Sequence, residues 1–366
     1  MKRILVFGMT ENPGGIESVI MNYYRHFDKN KVCLDFLCNT ETVAYEEEIK
    51  KIGGNIYKIT ARSKNYTAYK KDINSFFKNN ANRYDAIWVN VCSLANIDYL
   101  KYAKKYGIKT RIVHCHNSQN MDSFLRGLLH KYNKLFLKKY ATDFWSCSEN
   151  ASSWFYSKRI ISSNKFFVMN NAIEYDKFKF NEQIRKKVRK AMKLDNLLVF
   201  GNVGRLHFQK NQAFALRVFS KYLKCNSNAV FLLIGDGEDK DKLLKLAKEL
   251  SISDKVFFLG VRDDVAQLLQ AIDILLFPSL FEGLSLSLIE AQASKTLVFT
   301  STNVSSETKM SDSIFYIDLA NEDEWINQIV IQNKKYKRPK ATDEIKDRGF
   351  DINQEAKKIE NRFINE

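Results

Sequence analysis

No run of about 18 consecutive apolar residues occurs in the 366-residue chain, which excludes a membrane-spanning helix. A signal peptide is not expected either. After Met1-Lys2-Arg3 the apolar run covers only 4–7, and Thr10-Glu11-Asn12-Pro13 follows it. Internal repeats and low-complexity tracts are missing. A composition of 45% hydrophobic and 27% charged residues leaves room for neither a disordered tail nor a fibrous repeat. Cysteine pairing is absent as a pattern. Cys33, Cys38, Cys92, Cys115, Cys147 and Cys225 are scattered, without zinc-site spacing, and four lie in apolar strand-like runs. They read as reduced, mostly buried thiols of a cytoplasmic protein.

The remaining shortage is of acid, and it is local. Lys and Arg number 58 against 42 Asp and Glu, a formal charge of +16. Residues 1–200 hold 35 basic and 18 acidic residues, whereas the rest holds 23 and 24. Such an excess suggests nucleic acid, an anionic membrane surface or phosphorylated ligands. The balanced second half and the lack of a recognised binding motif argue against nucleic acid.

What is present is a strand–helix alternation that runs twice. Apolar runs at 4–7, 32–37, 55–59, 86–91, 111–114, 144–147 and 166–169 read as strands. Amphipathic stretches near 15–27, 42–52, 66–79, 93–106, 122–140 and 149–157 separate them. The pattern restarts with strands at 197–203, 230–234, 256–259, 272–277, 297–300 and 314–317. Helices are expected at 210–224, 238–250, 264–271 and 284–294. Near-continuous apolar strands alternating with helices indicate α/β domains with parallel sheets covered on both faces. The reading is an N-terminal Rossmann-like domain over 1–175 and a C-terminal one over 190–345. A final helix within 346–366 packs back toward the first domain, and the charged segment 171–195 forms the hinge. Two such domains are expected to turn their strand C-termini toward a shared cleft.

Four segments can carry chemistry. Asn12-Pro13-Gly14-Gly15-Ile16-Glu17 follows the first strand and opens a helix, so its backbone can approach an anion, although it is not the G-x-G-x-x-G fingerprint. Gly201-Asn202-Val203-Gly204-Arg205, with Lys210 five residues on, places a planar fork and a point charge at a strand end, suited to a diphosphate. The segment 277–291 holds Glu282 in a loop and Glu290 on the following helix, with seven residues between them. Two carboxylates about two helical turns apart can face one elongated ligand and accept bonds from sugar hydroxyls. The backbone N–H groups of Gly283, Leu284 and Ser285 would face a phosphate between those sugars. Finally, His114-Cys115-His116-Asn117-Ser118 ends a strand. The two imidazoles share a face, but no partner pattern supports a metal. His116 reads better as a hydrogen-bonding group for sugar or phosphate.

The segment 123–140 is basic. On a helical wheel Leu125, Leu128, Leu129, Tyr132, Leu135 and Phe136 fall on one side, while Arg126, His130, Lys131, Lys134 and Lys138 fall largely on the other. A core-packed helix with a solvated basic face is the ordinary reading. The sharper one is a face resting on anionic lipid, to which the Lys- and Tyr-rich stretch 62–83 could contribute.

Taken together, these motifs resemble the retaining glycosyltransferases of family 4, with the GT-B fold of two Rossmann-like doubly wound domains facing a central cleft. The closest likeness is to bacterial exopolysaccharide and capsule enzymes. The resemblance spans nearly the whole chain. It also draws on Asn170-Asn171-Ala172-Ile173, Ile234-Gly235-Asp236-Gly237 and Leu259-Gly260-Val261-Arg262-Asp263-Asp264-Val265. It implies transfer of a hexose or N-acetylhexosamine from a nucleotide-sugar, by default UDP-linked, to a polyprenyl-pyrophosphate-linked saccharide. Anomeric configuration would be retained and neither metal nor cofactor used. Arg205 and Lys210 would hold the diphosphate and Glu290 the ribose. Glu282 with the 283–285 backbone would hold donor sugar and phosphate. Gly15 would let the first domain close onto the diphosphate, with Gly14 also binding the donor, His116 would touch the sugar, and Arg262 would lie near the base. Arg126, Lys131, Lys134 and Lys138 are expected to meet the membrane, with the protein peripheral on its cytoplasmic face. Asn171-Ala172-Ile173-Glu174 and the Leu-Ser-Leu-Ser after Gly283 depart from the usual family pattern without touching a charged position. A nucleotide-sugar epimerase of the same fold and a non-catalytic sugar-binding or partner subunit are the alternatives.

Overall fold

A computed structural model describes residues 1–117, 124–282 and 284–365. The chain divides into two units, Met1–Ala172 with Ile352–Glu366, and Ile173–Asp351.

Unit 1 is built on seven strands: β1 (Lys2–Phe7), β2 (Val32–Cys38), β3 (Ile56–Lys58), β4 (Ala86–Val91), β5 (Thr110–Cys115), β6 (Asp143–Ser146) and β7 (Phe166–Val168). Every pairing is parallel, in the order β3-β2-β1-β4-β5-β6-β7. Parallel strands need crossovers, supplied by α1 (Gly15–His26), α2 (Glu46–Lys51), α3 (Tyr66–Asn80), α4 (Asp98–Lys105), α5 (Phe124–Tyr140), α6 (Glu149–Phe155) and α7 (Lys158–Ile161). All seven residues of β2 are buried, Asp35 included, as expected of a near-continuous apolar strand covered on both faces. One core joins Tyr69, Ile73 and Phe77 of α3, Tyr99 and Leu100 of α4, Leu137 of α5 and Phe155 of α6, so these helices cover the same side of the sheet.

Unit 2 begins with α8 (Tyr175–Phe178) and α9 (Glu182–Ala191). Its strands are β8 (Leu198–Val203), β9 (Ala229–Ile234), β10 (Val256–Gly260), β11 (Ile274–Phe277), β12 (Leu297–Ser301) and β13 (Ile314–Ile317). They pair in parallel in the order β10-β9-β8-β11-β12-β13. The crossovers contain α10 (Gln212–Cys225), α11 (Lys240–Glu249), α12 (Val265–Ala271) and α13 (Leu286–Ala293), and α14 (Glu322–Lys335) follows β13. The last helix, α15 (Ile352–Asn365), belongs to unit 1. It buries Ile352, Ala356, Ile359 and Phe363, one stripe at helical spacing, and the Phe363 ring centroid lies 5.8 Å from that of Trp88.

Three features differ from the sequence reading. The segment expected as a hinge, 171–195, is mostly folded. Arg185 and Arg189 of α9 both bind Asp273 and the carbonyl of Ala271 at the end of α12, which makes this charged stretch part of unit 2. The chain passes between the units at Ala172/Ile173 and again at Asp351/Ile352. Helix α14 has no counterpart in the sequence reading, because its buried stripe is only Trp325 and Ile329 on an otherwise polar surface. Charge also divides less sharply by unit than by sequence half. Unit 1 holds 30 basic and 17 acidic residues (+13), and unit 2 holds 28 and 25 (+3). No helix among the described residues is long and apolar enough to cross a membrane.

Candidate functional site

In open parallel sheets ligands bind beyond the strand C-termini where the strand order reverses. In unit 2 that point lies between β8 and β11. The loop after β8 carries Gly204, Arg205 and the short 3-10 turn Phe208–Lys210, and the loop after β11 carries Glu282. Lys210 Nζ lies 2.6 Å from Glu282 Oε1, so two sequence motifs 72 residues apart meet at the switch point. Both side chains are largely buried, and the Lys210 ammonium also lies 4.7 Å from the centroid of the Phe277 ring. Backbone contacts hold the loops together: Leu280 N–H donates to the Gln209 carbonyl, and Gln209 Nε2 donates to the Phe281 carbonyl.

The glycines after β9 explain how the Arg205 loop is shaped. Gly235 has φ +135°, and a Cβ there would lie 2.0 Å from the Gly204 carbonyl oxygen. A Cβ on Gly237 would lie 2.3 Å from the Leu206 carbonyl oxygen. Leu206 N–H donates to the Asp236 carbonyl, so the two strand-end loops pack backbone to backbone. Arg205 is exposed and its guanidinium pairs with Glu238 at 3.0 Å. Glu238 also lies 3.2 Å from His207 Nε2. Neither Glu238 nor Gln212, which donates to the Arg205 carbonyl, was picked out from sequence, because each acts only through a loop folded against it.

Helix α13 begins at Leu286, two residues later than expected, with Ser285 as its N-cap residue. Leu284 is buried in a cluster with Tyr175, Ile289 and Phe350, and so fixes the helix start. Gly283 lies outside the described residues, as does Ser118 of the strand-end motif. Glu290 is half-buried on α13. Burial pushes its carboxyl up to about 7, with Lys177 opposing and Glu174 adding to the rise. No hydrogen-bond or ion-pair partner for that carboxyl occurs among the described residues, which leaves its oxygens available to a ligand. Arg262 is exposed and locked in a two-point pair with Asp264 at 2.7 Å, beside the exposed Val261.

In unit 1 the order reverses between β1 and β4. Gly14 is the N-cap of α1, and the buried Glu17 of the first turn accepts bonds from the Thr10 amide and hydroxyl, tying down the loop after β1. A Cβ at Gly15 would meet nothing within 4 Å, so the fold of this unit does not itself demand glycine there. On β4, Asn90 Nδ2 donates to the Phe7 and Trp88 carbonyls, which turns Oδ1 toward both imidazoles. Asn90 Oδ1 lies 3.1 Å from His114 Nδ1 and 2.9 Å from His116 Nε2. Both rings therefore donate to one amide oxygen, and His116 keeps Nδ1 as an acceptor. Burial lowers His116 to about 3, so its imidazole is neutral at physiological pH. Asn90 is a site residue that the sequence reading missed, since nothing in Trp-Val-Asn-Val marks it.

The basic segment departs most from its ordinary reading. Helix α5 buries only His130, Asn133 and Leu137. Phe124, Leu125, Leu128, Leu129, Tyr132, Leu135 and Phe136 are all exposed, so the helix is not core-packed through its apolar side. Lys134, expected at a membrane, instead donates to the Trp154 carbonyl near the end of α6. Lys131, Lys138 and Arg126 remain on exposed positions.

Residues 182–311 match the family described as glycosyl transferases group 1. EpsF of Bacillus subtilis, which carries a provisional glycosyltransferase name, is 29% identical over 300 residues, 80% of this chain and 77% of that protein. The Escherichia coli UDP-Gal:alpha-D-GlcNAc-diphosphoundecaprenol alpha-1,3-galactosyltransferase is 28% identical over 212 residues, 56% of this chain and 54% of that one. Among solved structures, Anabaena HepE in complex with UDP and glucose is similar over 100% of both chains, with a TM-score of 0.80 at 16% identity. The chain thus has the GT-B architecture and carries a group 1 glycosyl transferase domain.

Proposed function

We propose that this chain, a glycosyltransferase by its group 1 domain and fold, is a retaining enzyme of family 4. It moves a hexose or N-acetylhexosamine from a UDP-sugar to a polyprenyl-diphosphate-linked saccharide at the cytoplasmic face of a membrane. The observation that carries the reading is the Lys210–Glu282 pair, 2.6 Å apart at the β8/β11 switch point. One cation and one carboxylate there suit the two halves of the donor. The ammonium takes the diphosphate and the carboxylate takes sugar hydroxyls. Arg205 adds a second cation, Glu290 receives the ribose diol, and Arg262 with Val261 borders the base. The backbone around Leu284 and Ser285 faces the phosphate. In unit 1, Gly14 and Gly15 admit the diphosphate closely, and His116 Nδ1 accepts a bond from the sugar.

In the reaction the anomeric C–O bond to the diphosphate breaks, and the acceptor oxygen bonds to the same face of that carbon. The acceptor's hydroxyl proton passes to the leaving phosphate oxygen, and Lys210 and Arg205 stabilise the charge that develops there. The residues in these roles are all side chains and backbone of the chain itself, and the proposal is metal-independent. The E. coli relative, whose name specifies UDP-Gal and a diphosphoundecaprenol-linked acceptor, supports the choice of donor nucleotide and acceptor class.

A donor screen tests this. Thermal stabilisation and slow hydrolysis are followed across UDP- and GDP-sugars, and one UDP-sugar at about 100 times its Kd is expected to stabilise the protein by about 2.7 kcal/mol. If no nucleotide-sugar stabilises the protein or is turned over, the reading fails.

A further inference from the structure

Amphipathic helices normally turn the apolar side inward, and α5 does the reverse. At 100° per residue its seven exposed apolar side chains sweep an arc of about 140°. Phe124, Leu125 and Leu135 are 78%, 70% and 79% exposed. The helix is seated on its domain by a narrow, largely polar stripe. His130 Nδ1 accepts from the Leu94 amide at 3.1 Å, with the His130 ring stacked 4.0 Å from Trp154, and Asn133 donates to the Leu94 carbonyl at 2.7 Å. Directional bonds of this kind fix which side faces out, so the outward arc is built in rather than left over.

The charge around the arc indicates what it meets. Helix α5 carries Arg126, Lys131, Lys134, Lys138 and Lys139 and no acidic residue. The stretch 51–140, which includes α3, α4 and α5 on one side of the sheet, holds 18 basic and 4 acidic residues. Tyrosines are interleaved with the cations, as where Lys101 and Lys104 lie 5.7 and 5.9 Å from the Tyr140 ring. A second copy of the chain seated on this face would bring like charge onto like charge. An anionic lipid surface brings the opposite sign and an apolar layer beneath it.

We propose that α5 is an in-plane membrane anchor, with its apolar arc in the acyl boundary of an anionic bilayer and Lys131 and Lys138 at the headgroups. Insertion, more than the lysines, supplies the binding. This deepens, and rests on, the reading of a lipid-linked acceptor. Only residues 118–123 separate Asn117, next to His116, from the start of α5, so the chain itself keeps α5 within about 25 Å of the His116 end of β5.

The test uses the full chain and co-sedimentation with phosphatidylcholine vesicles, with or without about one-third phosphatidylglycerol. Leu128→Gln/Leu135→Gln is expected to lose about tenfold or more in partitioning onto the anionic vesicles. Lys131→Ser/Lys138→Ser should lose less, and only on the anionic vesicles. Should the double leucine variant fail to fold, Leu135→Trp gives an independent readout, a blue-shifted emission quenched by brominated lipid. The proposal is overturned by wild-type protein that ignores both vesicles, by a double leucine variant that binds like wild type, or by a Leu135→Trp variant whose emission vesicles leave unchanged. So does a wild-type dimer that the double leucine variant converts to monomer count against it. Transfer to a detergent-solubilised acceptor is measured in parallel. Vesicle binding without transfer leaves the anchor standing and sinks the functional reading, and transfer without vesicle binding does the opposite.

Discussion

The two units share one strand order around the reversal point and furnish it with opposite chemistry. In unit 2 the loops after β8 and β11 bring charge to the centre, as Lys210 against Glu282 and Arg205 against Glu238. In unit 1 the corresponding place holds an amide bridging two uncharged imidazoles, and a glycine turn whose buried Glu17 carboxylate is engaged by the Thr10 amide and hydroxyl. Net charge runs the other way, +13 in unit 1 against +3 in unit 2. The excess cations of unit 1 are concentrated in the outer helical layer, not at its strand ends. Bulk charge therefore says little about where charge acts. In this chain a nearly neutral unit holds the cations suited to a diphosphate, and a strongly basic unit presents uncharged imidazoles at its strand ends.

The comparison breaks most easily at Lys210 and Glu282. Lys210→Ala is expected to lower kcat by about 10²–10³, the usual loss when one group that stabilises developing charge is removed. The same change leaves the Glu282 carboxylate largely buried without its partner, at a cost of about 3 kcal/mol, so thermal melts must accompany the kinetics. The double variant Lys210→Met/Glu282→Gln removes both charges. It should melt closer to wild type than Lys210→Ala while remaining inactive. Transfer by Lys210→Ala at the wild-type rate would remove the charged switch point from the chemistry.

The sequence reading anticipated that charged pair as separate motifs, and it did so for a physical reason. Strand ends, glycine turns and carboxylates in apolar company leave local signals, and Gly204, Lys210, Glu282 and Glu290 all carry one. Parallel strands did as well, since near-continuous apolar runs such as β2 have few other readings. What stayed hidden depends on partners distant in sequence. Asn90 becomes a site residue only because His114 and His116 arrive from the neighbouring strand. Glu238 matters because it faces Arg205. Helix α14 buries only two side chains, too few to show as a stripe. Helix α5 misled for a different reason: its apolar side is as periodic as a core helix, and periodicity does not say whether the face meets protein or lipid.

Glu290 sharpens the contrast through pH. Its carboxyl is raised to about 7 by burial, from an ordinary value of 4.5. The folded chain therefore holds this proton more tightly than the unfolded chain, and wild type loses stability as pH rises from about 4.5 through 7. Glu290→Gln removes that loss. It should match wild type near pH 4 and exceed it at pH 8 by up to about 3 kcal/mol, read from chemical denaturation. Function moves the other way. In the proposed role the ionised form would accept both ribose hydroxyls, so wild-type donor affinity should rise with pH through 7. Glu290→Gln should bind at least about tenfold more weakly, without that rise. A variant that gains stability and keeps full donor affinity would leave Glu290 as a structural carboxyl.

The smallest effect is expected from His116, and its smallness is the point. With its imidazole held neutral to about pH 3, His116 has no proton to gain or lose between pH 5 and 8. The wild-type profile of kcat/KM should carry the Glu290 limb near 7, and that limb should vanish in Glu290→Gln and persist in His116→Asn. The asparagine variant can still offer an acceptor to the sugar, so it should lose only about tenfold in rate, with the profile unchanged in shape. A limb between pH 5 and 8 that disappears in His116→Asn would mean that the imidazole titrates. Unit 1 would then bring charge to the reaction after all, and the division between a charged and a neutral switch point would fail.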